Sequence, residues 1–158
     1  KNNPVKKKID VSLLKPTDEV VKILHRHIEP PKVNLKAAQI MVAGGYGMGS
    51  KENFQILYEL ADLLGAEVGG TRAAVDAGFC GHERQIGQTG VTVRPKLYIA
   101  CGISGAVQHR AGMDQSSKII SINTSIHAPI NAIADYVVVG DVMKVIPKMM
   151  QSYKKQIK

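Results

Sequence analysis

Short apolar runs alternate with amphipathic stretches from residue 37 to the end of this chain. Gln39-Ile40-Met41-Val42-Ala43 has the continuity of a buried strand. Gly44-Gly45-Tyr46-Gly47-Met48-Gly49 predicts a turn that needs a permissive backbone. Ser50 is a good N-cap, and Phe54, Leu57, Tyr58, Ala61 and Leu64 recur at helical spacing. The helix they predict runs to about Leu64 and closes at Gly65. Glu67-Val68-Gly69-Gly70 predicts a short strand and turn, and residues 71–77 a short helix. Leu97-Tyr98-Ile99-Ala100-Cys101 predicts the next buried strand, with a helix from Ser104 to Ala111 directly after its glycines. Lys118-Ile119-Ile120-Ser121-Ile122-Asn123 and Tyr136-Val137-Val138-Val139 predict two more strands. A last helix is expected from Asp141 to about Met150, with a Lys-rich tail that frays.

Strands alternating with helices predict an α/β fold, a doubly wound and mainly parallel sheet. Ligands of such sheets sit at the carboxyl ends of the strands. The Gly-rich and polar segments of this chain follow those ends.

Residues 1–36 read differently. Lys6-Lys7-Lys8 leads into the alternating Ile9-Asp10-Val11-Ser12-Leu13. Residues 21–28 fit a strand of period two or a short helix from Thr17, and the strand is preferred. Pro30-Pro31 then acts as a stiff linker. The expected division is therefore 1–36 as a linker and the end of a preceding domain, and 37–158 as one domain. The chain starts at Lys1 rather than Met, which reads as a piece of a longer polypeptide or a processed one.

Composition changes the picture little. The 158 residues suffice for a sizeable core, and with aromatics at 4% and no Trp it must rest on aliphatic side chains, as a parallel sheet does. No apolar run has the length of a membrane span, and no apolar stretch follows the Lys-rich start as in a signal peptide. Cys80 and Cys101 form no CxxC pair, and Cys101 lies in an apolar run. This predicts a reduced compartment, the cytoplasm or, in a eukaryote, the mitochondrial matrix.

The formal charge is +8, unevenly placed. Residues 1–36 hold nine basic and four acidic groups, and residues 144–158 hold five basic and no acidic ones. The body between has seven basic and nine acidic groups. A basic face interleaved with aromatics is missing, which argues against nucleic acid and for solvated ends or an acidic partner.

The candidate chemistry is that of a nucleotide site. Gly102-Ile103-Ser104-Gly105 follows a strand, so free N–H groups and the Ser104 hydroxyl can hold a pyrophosphate. The 44–49 turn has the same look but not the GxGxxG register, and fits a phosphate cradle and a close-packed turn equally well. Arg72 follows Gly69-Gly70-Thr71 at a strand end. Asp141, after a strand, can cap a helix, bind a ribose hydroxyl, or both. Asp135 reads as structural. His25 and His27 share HxH spacing without an evident third ligand, and His82, Glu83 and His127 read as loop residues.

Three blocks, Arg72-Ala-Ala-Val-Asp76-Ala-Gly78, Gly87-Gln88-Thr89-Gly90 and Gly102-Ile-Ser104-Gly105-Ala-Val-Gln108-His109, follow one another within residues 72–109. In this order and spacing they resemble the C-terminal FAD-binding domain of the electron-transfer flavoprotein alpha subunit, a Rossmann-like domain. The resemblance covers roughly residues 37–150.

The resemblance implies FAD as cofactor and electron carriage rather than chemistry on a substrate. It implies a beta subunit as partner, acyl-CoA or related dehydrogenases as donors, and a downstream acceptor. It places Thr71 and Arg72 against the flavin ring, where a fixed positive charge favours reduced, anionic flavin. It places Gln88, Thr89 and Gly90 around the ring, with the Thr89 hydroxyl near N5. Ser104, Gly105 and Gln108 belong to its cofactor-binding turn, and His109 is implied as a donor to the pyrimidine carbonyl edge. Asn123 and Asp141 fall at the adenosine half. The family usually has Arg within the first glycine turn, where this chain has Tyr46. Rival readings are an NAD(P)- or FAD-binding module of a multidomain oxidoreductase, and a structural domain without cofactor.

Overall fold

The computed structural model describes residues 32–158. The expected strand at 21–28, the Pro30-Pro31 linker and the His25/His27 pair lie outside the described residues. Five strands form one parallel sheet: β1 (Ile40–Gly44), β2 (Glu67–Gly70), β3 (Leu97–Cys101), β4 (Lys118–Asn123) and β5 (Tyr136–Val139), in the order β2-β1-β3-β4-β5.

The apolar runs of β1 and β3 are continuous because both faces are covered there, and alternate residues still sort by face; the edge strand β5 is apolar but largely exposed. Val42, Val68, Ile99, Cys101 and Ile122 point to one side. There they meet Phe54, Leu57, Leu60 and Ala61 of α1 (Lys51–Leu64) and Val142 and Ile146 of α4 (Val142–Gln156). Met41, Ala43, Tyr98, Ala100 and Ile119 point to the other side, against Leu35, Ile86, Ile103, Met113 and Ile130. That second face is covered mainly by loops and the short α3 (Val107–Arg110), while the other short helix, α2 (Arg72–Asp76), packs its Ala74 into the first cluster.

Local signals set α1 as expected. The Ser50 hydroxyl accepts from the Asn53 N–H at 3.0 Å, and Gly65 closes the helix in the left-handed conformation. Thr71 caps α2 in the same way, its Oγ1 accepting from the Ala74 N–H at 3.2 Å. Asp135 is structural: it accepts from the Ile119 N–H at 2.8 Å beside Lys118.

Two expectations need correction. The helix expected from Ser104 begins only at Val107. Gly105 has φ +91°, and the Ile130 N–H donates to the Ser104 carbonyl at 3.0 Å, so residues 103–106 stay open as a loop. The Lys-rich tail does not fray at Met150: α4 continues to Gln156, since Lys and Gln are good helix formers.

The compact unit spans Val33–Lys158, and Leu35, from the segment read as linker, is buried in it. No helix among the described residues is long and apolar enough to cross a membrane.

Candidate functional site

The strand order reverses direction between β1 and β3, so the loops leaving these two strands diverge and open a crevice at their carboxyl ends. A cavity of about 880 Å³ occupies this crevice. Every residue that the resemblance assigns to the cofactor lines it except Gly90: Thr71, Arg72, Gln88, Thr89, Ser104, Gly105, Gln108, His109, Asn123 and Asp141. Residues from the ends of four strands thus converge on one site.

The turn after β3 forms its centre. The Gly102 N–H continues the sheet to the Ile122 carbonyl. Beyond it, among the described residues, the amides of Ile103, Ser104, Gly105 and Ala106 have no protein acceptor, and all four residues line the cavity. Unpartnered N–H groups gathered in an open loop are a donor set for an anion. Asn123 braces this loop: its Nδ2 donates to the Ile103 carbonyl at 2.9 Å and its Oδ1 accepts from the Ser125 N–H at 3.0 Å. One N–H and one lone pair of its amide remain for the cavity that it lines.

The turn after β1 is different. The Gly45 N–H donates to the Cys101 carbonyl at 2.9 Å and the Gly47 N–H to the Gly102 carbonyl at 3.0 Å. A Cβ on Gly45 would stand 2.3 Å from the Gly102 carbonyl oxygen. Of the two readings open for this turn, the geometry is the close-packed one: its glycines let it lock onto the second turn.

At the β2 end, Arg72 is 71% exposed and pairs with Asp76 at 3.6 Å, one helical turn on. Such a pair is weak, about 0.3–0.5 kcal/mol, so the guanidinium is free to find a better anionic partner. Thr71 and Thr89 both have their hydroxyl oxygens accepting already, from Ala74 and from Gln85 Nε2 at 2.9 Å. Each hydroxyl proton is thereby left to donate elsewhere. Gln85, 3% exposed, lines the cavity and was not anticipated. The only sign of it in the sequence is a polar residue ahead of the 87–90 block; its burial decides its importance.

Gly90 does not line the cavity and is packed close: a Cβ there would lie 2.3 Å from the Gln85 carbonyl oxygen. The Gln88 N–H donates to the Gln108 carbonyl at 2.8 Å, fastening the 87–90 turn to α3. Asp141 caps α4, Oδ1 accepting from the Met143 N–H at 2.9 Å, while lining the cavity.

His109 departs from its expected donor role. Its ring is buried, with Nδ1 3.0 Å from the Ile86 carbonyl and Nε2 2.9 Å from the Tyr98 hydroxyl. A carbonyl only accepts, so Nδ1 carries the proton and Nε2 accepts from Tyr98. Burial pushes the imidazole down to about pKa 4, with the Ile86 carbonyl opposing, so the ring is neutral and has no proton left to donate. In this arrangement His109 forms part of the cavity wall.

Neither cysteine is poised for chemistry. Burial pushes Cys101 up to about 12 and Cys80 up to about 11, the latter against the pull of Arg84. Among the described residues no group of three or more His, Cys, Asp or Glu side chains can hold a metal.

Comparison with known proteins decides the family. Residues 34–114 match the electron transfer flavoprotein FAD-binding domain. The chain belongs to the electron transfer flavoprotein alpha family. It is 57% identical over 123 residues to the electron transfer flavoprotein subunit alpha of Thermoanaerobacterium thermosaccharolyticum, covering 78% of this chain and 37% of that protein. It is 49% identical over 146 residues to the Bacillus subtilis subunit alpha, covering 92% of this chain and 44% of that protein. Protein FixB of Azotobacter vinelandii is 52% identical over 126 residues, covering 80% of this chain and 35% of that protein. The chain thus spans less than half the length of these relatives.

FAD is the cofactor of this electron transfer flavoprotein domain, and the donor set fits it. The four open amides of 103–106 suit a pyrophosphate. Thr71, Thr89 and Arg72 line the same cavity with donors and positive charge, and Asp141 lines it with a carboxylate.

Proposed function

We propose that this domain carries electrons on FAD, within an assembly completed by an electron transfer flavoprotein beta subunit. The observation that carries this reading is the loop 103–106 after the central strand β3, whose amides have no protein acceptor and whose residues line one cavity with Arg72, beyond β2, and Asp141, beyond β5. In this reading residues 1–36 link to a preceding domain and 37–158 hold the cofactor. Dehydrogenases of the acyl-CoA or related classes serve as donors, and the electrons leave to a downstream acceptor. The domain has no substrate of its own; reversible electron uptake is the chemistry FAD supplies when bound.

The protein's residues bind, orient and bias. The amides of 103–106 and the Ser104 hydroxyl hold the pyrophosphate. The Thr89 hydroxyl, oriented by Gln85, donates toward the flavin end, and Thr71 does the same from the head of α2. Arg72 exchanges its weak pair with Asp76 for a position that favours negative charge on the ring. The neutral His109–Tyr98 pair closes the wall with every polar atom satisfied, which keeps that side dry. Asp141 accepts from the ribose hydroxyls while capping α4.

The test is titration of the apo chain with FAD, followed by absorbance and flavin fluorescence, with NAD and FMN as controls and the beta subunit absent or present. Saturable, FAD-selective uptake is expected. Preference for NAD, or no uptake even with the beta subunit, overturns the reading.

A further inference from the structure

Tyr46 stands in the cavity wall, and among the described residues Phe79 is the one ring that stacks on it. It is 67% exposed, yet its ring is fixed from behind. One face stacks on Phe79, centroids 6.0 Å apart and planes 18° apart. Phe79 is itself nearly buried and meets Phe54 of α1 at 6.5 Å, so a ladder of rings runs from the core to the cavity. The flanking backbone is equally constrained, since Gly45 and Gly47 are locked onto Cys101 and Gly102.

Position selects what the open face meets. Tyr46 leaves β1, which neighbours β2, whose end carries Thr71 and Arg72. β4, whose end carries Asn123, lies two strands away, roughly 10 Å at the usual strand spacing. β1 neighbours β3 as well, but the ring stacks on Phe79, which follows Arg72 and α2 in the chain, and this puts it on the Arg72 side of the cavity. A large flat apolar surface held rigid on one side and bare on the other is a stacking platform for a planar ligand ring.

We propose that Tyr46 is a positioning residue for the cofactor: its open face stacks on the flavin ring, with Phe79 as fixed backing. The proposal rests on the FAD reading of the site. Where a guanidinium at this position would hold the cofactor by charge, an aromatic ring holds it by contact. Its contribution is accordingly insensitive to salt.

The test titrates the 158-residue chain with FAD, alone and with a beta subunit whose own signal is subtracted. Affinity and flavin emission are read at low and high salt for wild type, Tyr46→Phe and Tyr46→Ala. A phenol stacked on flavin quenches its emission strongly, a phenyl ring far less. Wild type should bind with quenched emission. Tyr46→Phe should keep the affinity within about twofold and recover emission. Tyr46→Ala should recover emission and weaken binding about 2- to 10-fold at either salt, the range expected for one aromatic stack. Tyr46→Ala with wild-type affinity and wild-type quenching overturns this proposal and leaves the FAD reading standing. Wild type that takes up no FAD in either format removes both.

Discussion

The two glycine turns of this domain follow neighbouring strands, β1 and β3, and look alike in sequence. Their amides go to different places. In the first turn Gly45 and Gly47 donate inward, to the Cys101 and Gly102 carbonyls, and the turn becomes a buttress. In the second, the amides of 103–106 are left toward the cavity, because Gly105 at φ +91° and its contact with Ile130 hold the loop open. Glycine serves close approach of two backbones in one case and exposure of donors in the other. A Gly-rich motif alone does not say which.

Substitutions at the two turns should break that pairing in different ways. The largest effect is expected from Gly45→Val. Its Cβ meets the Gly102 carbonyl oxygen at 2.3 Å, backbone that has no room to move. Urea unfolding should show a loss of about 3 kcal/mol or more, with FAD uptake falling as a consequence. A wild-type midpoint would mean the turns are not interlocked.

Acid should act on the face beneath the second turn. His109 is lowered to about pKa 4 in the fold, from its ordinary 6.5. Between those values the unfolded chain binds a proton that the folded chain does not, so its stability contribution is complete above 6.5 and lost as pH falls toward 4. The full loss is about 3 kcal/mol. Denaturant midpoints across this range should drop for wild type and drop less for His109→Gln. Identical slopes would remove His109 as the cause.

Ser104→Ala sharpens the comparison from the ligand side. The backbone donors of the second turn remain, so FAD should bind about 10- to 100-fold more weakly, one hydrogen bond to a charged phosphate, with stability unchanged. Loss of all binding would place the affinity in the side chain instead of the amides.

Arg72→Ala should move stability least, by less than about 0.5 kcal/mol, because its pair with Asp76 is exposed. Its effect belongs to the loaded protein, where the reduction potential of bound FAD should fall. An unchanged potential would dismiss Arg72 as a tuning charge.

Much of the fold was legible because its signals are local. Ser50 and Gly65 bracket α1 within a few residues of chain, and the apolar runs that became β1, β3 and β4 carry their burial in their own composition, whereas the equally apolar β5 is an exposed edge strand. The site was legible as a family pattern of residues, and the structure gathers all of that set but Gly90 around one cavity. What stayed hidden depends on partners far along the chain. Ile130 holds the 103–106 loop open, Ile86 and Tyr98 occupy both nitrogens of His109, and Gln85 takes its role only by being buried against Thr89.

The sequence by itself determined the class of fold, the cofactor family, and the residues that surround the site. Periodicity, caps and spacing are short-range properties, and each residue carries them wherever it goes. The tertiary structure alone decided which of those residues have atoms to spare for a ligand. A hydrogen-bonding group offers the cavity only what the rest of the fold has not already engaged. That is why one glycine turn is left as a cradle, its twin becomes a brace, and a histidine expected to donate is already satisfied.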